Sequence, residues 1–214
     1  MGKLLNSLLA GSSGTIGRVV VANVFGTEIL RARPSRRNSA GSPKQLLIQL
    51  RMDVAYNFLL PYMDFAKNYF GLRSGMKSAY NQAMSNALKA FKLDFVLNQL
   101  NPVYSEIEFA RGPLLGAVPT GLASAVPQTF DLTWFENSGG NVLRETDLLQ
   151  LLYVADDAVR PIFMENVAPR LDGTVSIPVA PNLQGKTLHV WMAFRSADLK
   201  AVSFSSYVGT ILIT

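Results

Sequence analysis

The chain has 214 residues, of which 49% are hydrophobic and 16% are charged. This composition excludes an intrinsically disordered protein, and the length suffices for one large or two small domains. The sequence contains no cysteine, which excludes disulfides and thiolate metal sites. The basic charge is concentrated at one end, because residues 1–51 hold eight lysines and arginines against one glutamate, whereas the other residues carry a small net negative charge.

Residues 1–41 read as a basic, glycine-rich β-arm with a linker at its end. The valine-rich residues 16–24 predict a strand, and residues 27–33 predict a second strand that runs back after Phe25-Gly26. Because an isolated hairpin is only marginally stable in water, the arm must add to a sheet or lie on a partner. We expect its apolar side chains to contact another subunit: Ile16, Val19, Val20, Val21, Val24, Phe25, Ile29 and Leu30.

The arm also carries a candidate basic patch of five arginines: Arg18, Arg31, Arg33, Arg36 and Arg37. Such a patch suits nucleic acid, an acidic lipid surface or an acidic patch on a neighbouring subunit, and a solvated basic loop is the remaining alternative. Nucleic-acid modules usually add stacking aromatic side chains, whereas Phe25 is the arm's one aromatic residue. The sequence therefore favours a subunit contact over nucleic acid.

Residues 42–100 predict a helical hairpin. Ser42, Pro43 and Gln45 form a helix start with a capping box, and an apolar stripe follows up to Pro61, which ends or kinks the helix. A second amphipathic helix is predicted over residues 76–91, after a short turn. Two such helices with a short connection are typical of an αα-hairpin.

In residues 101–214 apolar and polar residues alternate with a period of two, in several short segments. This pattern predicts an antiparallel β-sandwich. The segments at residues 147–155 and 201–213 are apolar on both faces, so each must be central or covered by a neighbour. Seven strands are predicted, at residues 104–110, 128–135, 147–155, 160–164, 173–179, 186–195 and 201–213.

Two resemblances accompany this pattern. The FDLTW piece that ends at Trp134 and the PNLQGKTLHVWMAF piece resemble the B strand and the E–F region of fibronectin type III domains, although Leu188 or His189 stands where that family has an inward tyrosine. The whole chain resembles an uncharacterised family of bacterial proteins, mostly from Bacteroidota, through its M-G-K start, its G-x-x-G-x-I-G run, its valine run and its R-x-x-P-S segment. This resemblance implies an architecture and no activity.

No motif predicts chemistry. Gly11, Gly14 and Gly17 lack the lysine of a phosphate-binding loop and precede a strand, so we expect them to permit turns or a close backbone approach. His189 is the one histidine, and neither a nucleophile nor an orienting acid can be located for it, which favours a surface or interface histidine. Asp156-Asp157 lacks the spacing of a calcium loop and reads as a solvated turn. We therefore predict no catalytic residue, cofactor or metal.

The sequence as a whole predicts an α+β chain: a β-hairpin arm (residues 1–41), an αα-hairpin (42–100) and a fibronectin-III-like antiparallel sandwich (101–214). We expect a non-enzymatic structural protein that self-associates through its arm into a homo-oligomer, a filament or a virion-like assembly. The alternatives are a nucleic-acid or phage-associated binding protein and an adhesin-like surface module. No segment reads as a membrane span or a signal peptide, which predicts synthesis in the cytoplasm and leaves the final location open, including a released or virion-like assembly.

Overall fold

The computed structural model describes residues 2–3, 11–24, 26–35 and 41–214. It contains helices together with several mainly antiparallel sheets, which confirms the expected combination of α and β structure. The chain groups into two units: Met1–Gly41 with Ser74–Met76, and Ser42–Arg73 with Lys77–Thr214. The division into three parts at residues 42 and 101 stays a prediction.

The first unit is built on a four-stranded antiparallel sheet, here called the N-terminal sheet. Its strands are β1 (Gly2–Lys3), β2 (Gly14–Ile16), β3 (Val19–Val24) and β4 (Thr27–Ala32). They lie in the order β1-β4-β3-β2, so the β3–β4 hairpin is central and the two short strands form the edges. Gly17 turns the chain from β2 into β3 with a φ of 59°, a conformation that glycine adopts without strain.

The second unit begins with three helices. They are α1 (Pro43–Leu59), α2 (Met63–Tyr69) and α3 (Ala79–Ala90). The predicted capping box at the start of α1 is confirmed, because the Gln45 N–H donates to Ser42 Oγ and the Ser42 N–H donates to Gln45 Oε1. A single 3₁₀ turn that contains Pro61 separates α1 from α2.

A small hairpin leads from α3 to the β-sandwich. It pairs β5 (Phe91–Asp94) with β6 (Gln99–Pro102). One sandwich sheet has the order β11-β8-β7 and the other has the order β10-β9-β12-β13. The sandwich strands are β7 (Pro119–Ala123), β8 (Thr129–Trp134), β9 (Leu148–Ala155), β10 (Ile162–Met164), β11 (Thr174–Pro178), β12 (Thr187–Arg195) and β13 (Ser206–Leu212), and a short helix α4 (Val142–Glu145) precedes β9.

The second unit has three layers and two hydrophobic cores. One core lies between the two sheets and includes Leu151 and Val190. The other lies between the helices and the outer face of the four-stranded sheet, and it includes Leu152 and Trp191. Strands β9 and β12 are therefore buried on both faces, which explains why residues 147–155 lack the alternation of polar and apolar residues.

One predicted strand is wrong, and three observed strands were not predicted. Residues 104–110 are not a strand: Tyr104–Glu106 form a 3₁₀ turn, and the backbone N–H groups of Glu108 and Phe109 donate to side chains instead of to a neighbouring strand. Ile107 and Phe109 are apolar because they lie in the helix-side core, a burial pattern that imitates a strand. Strand β7 and the β5–β6 hairpin were not predicted. The hairpin was missed because the apolar stripe of the predicted second helix runs on into Phe91, the first residue of β5.

No helix in the described part of the chain is both long enough and apolar enough to cross a membrane.

Candidate functional site

The apolar residues expected to contact a subunit are divided between the two faces of the N-terminal sheet. Val21 lies opposite Leu30, and Ile16 lies opposite Val19, so these four share one face. Val20, Val24 and Ile29 lie on the other face by alternation along their strands. Phe25 falls outside the described residues. The sheet therefore presents apolar side chains on both of its surfaces.

Very little of this sheet is buried. Among the described residues of the first unit, Val21 alone is buried, at 1% exposure, and Ile16 on the edge strand β2 is 51% exposed. A sheet needs a covered apolar face to be stable independently. Five of the other candidates, Val19, Val20, Val24, Ile29 and Leu30, are only half-buried, so each face is incompletely covered.

Three of the candidate arginines, Arg18, Arg31 and Arg33, lie at one end of the β3–β4 hairpin. The Arg33 N–H donates to the Arg18 carbonyl at 2.8 Å, which places these two residues side by side just beyond the ladder. Arg31 lies opposite Val20, and all three arginines are exposed. Arg36 and Arg37 fall outside the described residues. The segment's one acid, Glu28, accepts a hydrogen bond from the Gly11 N–H at 2.6 Å.

The second unit holds a polar cluster around His189, here called the histidine cluster. Nε2 of His189 lies 2.5 Å from Asp156 Oδ1, and Nδ1 lies 2.8 Å from the Tyr207 hydroxyl. The Tyr104 ring packs against the imidazole in a tilted arrangement, with a centroid separation of 3.9 Å. Since a carboxylate only accepts, Nε2 carries a hydrogen, and Nδ1 of the neutral ring accepts from Tyr207.

Both tyrosines of the histidine cluster are perturbed by their surroundings. Burial raises the pKa of Tyr104 and of Tyr207 above the ordinary tyrosine range, and the negative charge of Asp156 raises both further. Both His189 nitrogens already have partners, so a substrate would have to displace Asp156 or Tyr207 before it could bind the ring. The two hydrogen bonds of His189 link β12 to β13 and to the turn after β9.

The sequence did not reveal the partners of His189. Asp156 is 33 residues from His189 along the chain, and only strand pairing brings the two together. The register of β12 against β9 places His189 opposite Val154, two residues before Asp156. The neighbouring Asp157 is held by the Lys186 ammonium at 2.8 Å, and that hydrogen bond lowers the pKa of Asp157.

Another polar cluster is buried at the end of the sandwich. The Arg170 guanidinium donates to Asp147 Oδ2 at 2.9 Å and to Asn137 Oδ1 at 2.5 Å, and it lies 4.0 Å from the centroid of the Phe194 ring. Burial raises the pKa of Asp147 and lowers that of Arg170, and each effect is partly opposed by the charge of the other residue. Within the described ranges no group of three or more histidine, aspartate or glutamate side chains is arranged to hold a metal ion.

Comparisons with known proteins give one extensive match. A family model described as "Family of unknown function (DUF6266)" matches residues 11–209. No curated protein matches the sequence. Among solved structures, the chain has a weak similarity to the fibronectin type III domain of human contactin 1, with 8% identity and a TM-score of 0.30 over 48% of this chain and 76% of that domain.

Proposed function

The chain belongs to the DUF6266 family of unknown function, and we propose that it is a non-enzymatic structural protein that self-associates through its N-terminal sheet. The product is a homo-oligomer, a filament or a virion-like assembly of identical chains. One observation carries the proposal: the described strands of this sheet carry apolar side chains on both faces, yet only Val21 among them is fully buried.

The edge strand β2 offers the contact. It is the outermost strand of the order β1-β4-β3-β2, and all three of its residues are exposed. Free backbone groups on an edge recruit a further strand, and the same edge of a second copy supplies one. Two β2 strands that pair about a twofold axis form a continuous sheet and bring the Ile16 side chains of both copies close together.

The test places a positive charge on this edge. We expect Ile16→Lys to lower the average mass of the protein in solution, because lysines on edge strands oppose strand addition and those of the two copies repel each other. Multi-angle light scattering at moderate salt measures the mass. The control Ser35→Lys adds the same charge at an exposed residue outside the strands. If Ile16→Lys assembles as the control does, the edge is not the contact.

Nucleic-acid binding is the second candidate, and the placement of exposed Arg18 and Arg33 side by side, near Arg31, supports it. Contacts to phosphates release counterions, so affinity would fall steeply as salt rises. We expect Arg31→Gln with Arg33→Gln to reduce the slope of log K against log salt by about 2 if both arginines contact phosphate. An assembly that forms without nucleic acid and keeps its mass in this double variant would favour the structural function.

We also propose that the sandwich is fibronectin-III-like in its finer topology. The three-strand sheet β11-β8-β7 and the four-strand sheet β10-β9-β12-β13 support this assignment, as does Trp134, whose ring is buried between the sheets at the end of the second sandwich strand. This topology assigns no ligand, because one fold serves many functions.

A further inference from the structure

The positive charges of the N-terminal sheet lie on one of its faces. Lys3 of β1 lies opposite Ile29 of β4, and Arg31 shares the face of Ile29 by alternation along β4. Arg33 continues the same alternation just past the end of β4. All three basic residues are exposed. The side of the sheet that carries Lys3, Arg31 and Arg33 is here called the cationic face.

The opposite face has a different character. It holds Val21, which is buried, together with Leu30, which lies opposite Val21. Glu28 shares this face with Leu30, and its carboxylate accepts a hydrogen bond from the Gly11 N–H. Along the described strands, basic side chains therefore lie on one face and the acidic side chain lies on the other. An anionic partner would bind to the cationic face.

The proposed pairing of two β2 strands leaves the cationic faces of both copies on the same side. Antiparallel strands are related by a twofold axis perpendicular to the sheet, and this rotation does not turn the sheet over. In the strand order β1-β4-β3-β2, the two β4 strands of the joined sheet are five strand spacings apart, which is about 24 Å. We infer that the joined cationic faces bind one nucleic-acid duplex through its phosphates, and that duplex binding and assembly through β2 promote each other.

The inference rests on the proposed function, because it requires the β2 contact. It assigns the edge of the sheet to a second copy and the cationic face to nucleic acid. The two partners then bind without competing for the same residues, and Ile16 lies on the face opposite Arg31.

A duplex fits the joined cationic faces better than a small anion or a single strand does. Duplex DNA carries one charge per about 1.7 Å of its axis, so one molecule offers phosphates to both copies across about 24 Å. An isolated phosphate group reaches one copy alone. The described strands of the sheet contain no aromatic side chain on which unpaired bases could stack. Contacts to phosphates alone carry no sequence preference.

Pairing raises the affinity for a duplex because it doubles the number of basic residues that one ligand meets. Once one copy is bound, the contact of the second copy becomes intramolecular and gains from a high effective concentration. Linkage then requires the reverse effect, so the duplex strengthens pairing by the same factor by which pairing strengthens duplex binding.

The first experiment measures pairing of full-length chains freed of nucleic acid. Donor and acceptor dyes are attached at Val142→Cys, at a valine that is 69% exposed in the second unit. We expect a duplex of about 20 base pairs to lower the protein concentration needed for energy transfer about tenfold or more, and inorganic pyrophosphate at the same phosphate concentration to have little effect. An equal effect of pyrophosphate, or no effect of the duplex, would overturn the inference.

Two double variants assign the effect to the cationic face. Arg31→Gln with Arg33→Gln should pair without the duplex as the unaltered protein does and should lose the response to the duplex. The matched control is Lys89→Gln with Arg144→Gln, which removes two exposed basic residues from the second unit and should keep the response. If both double variants respond to the duplex equally, another surface binds it and the inference is wrong.

The second experiment measures the affinity for a labelled duplex by fluorescence anisotropy. Ile16→Lys should bind about tenfold more weakly than Ser35→Lys, although each adds one positive charge. Its plot of log K against log salt should be about half as steep, because one copy contacts about half as many phosphates as a pair. Equal affinities, when Ile16→Lys has lost assembly, would overturn the inference and leave the proposed function standing. If Ile16→Lys still assembles as Ser35→Lys does, the β2 contact is wrong and both fail.

Discussion

At the scale of single residues, the second unit depends on polar groups that are buried with their partners. Arg170 is fully buried, and its guanidinium reaches Asp147, Asn137 and the Leu115 carbonyl. Removing one member of such a pair leaves the other as an unpaired buried charge, whereas removing both members leaves no buried charge. We therefore expect the pair to contribute more to a unique packing arrangement than to net stability.

A double-mutant cycle tests this role. We expect Asp147→Leu and Arg170→Met each to lower the free energy of unfolding by about 3–5 kcal/mol, because each leaves an uncompensated buried charge. The combination of Asp147→Leu with Arg170→Met should lose clearly less than the two single effects added together. Urea denaturation followed by circular dichroism measures all the variants. Additive losses would show that the two residues act independently.

The histidine cluster gives a second prediction at this scale. Burial first, and then the charge of Asp156, raise the pKa values of Tyr104 and Tyr207. Asp156→Asn removes the charge but keeps the size of the side chain, so both tyrosines should ionise at a lower pH than in the unaltered protein. A difference titration of tyrosine absorbance between the two proteins measures the shift. Identical titration curves would contradict the contact between Asp156 and the cluster.

At the scale of elements, the double burial of β9 and β12 explains most of the second unit. The sequence showed that residues 147–155 are apolar on both faces, but it could not say whether a helix, a sheet or a neighbouring chain covers the second face. The helices supply that cover, through Phe58 against Trp191 at a centroid separation of 6.1 Å. Six of the seven predicted strands overlap observed strands, because turn residues separate them locally. Residues 104–110 were wrongly predicted as a strand. The alternating burial of Ile107 and Phe109 against the helices has the same period of two as a strand.

The histidine cluster marks the limit of sequence reasoning at this scale. Asp156 and Tyr207 flank His189 only once β9, β12 and β13 are paired, and a single sequence contains no strand register. The motif of Gly11, Gly14 and Gly17 was easier to interpret, because the sequence itself shows that it lacks the lysine of a phosphate-binding loop. The apolar stripe predicted for the first helix did not separate the buried Leu47 and Phe58 from Leu46 and Leu50, which are exposed.

Substitutions on the two faces of β9 test the three-layer arrangement. Leu151 faces the sandwich core and Leu152 faces the helices, and both are fully buried. Leu151→Ala and Leu152→Ala should each lower the free energy of unfolding by about 2–5 kcal/mol, because each leaves a cavity. Chemical denaturation measures the loss. Ile162→Ala, at a residue that is 41% exposed on the edge strand β10, should lose about 1 kcal/mol or less. A neutral Leu152→Ala would contradict the packing of the helices on this face.

At the scale of the whole molecule, the proposed assembly rests on apolar residues of the N-terminal sheet that are incompletely covered. Among the described residues of this sheet only Val21 is buried, and Ile16 on the edge strand β2 is exposed. Exposed apolar surface beside an open strand edge usually marks a contact site.

The mass and shape of the full-length protein, compared with a chain that lacks residues 1–37, test this claim most directly. Light scattering with negative-stain microscopy at moderate salt, on protein freed of nucleic acid, measures both. We expect large particles or fibres for the full chain and a monomer for the shortened chain. Equal assembly of the two chains, or a full-length protein with the mass of a single chain, would contradict self-association through the N-terminal sheet.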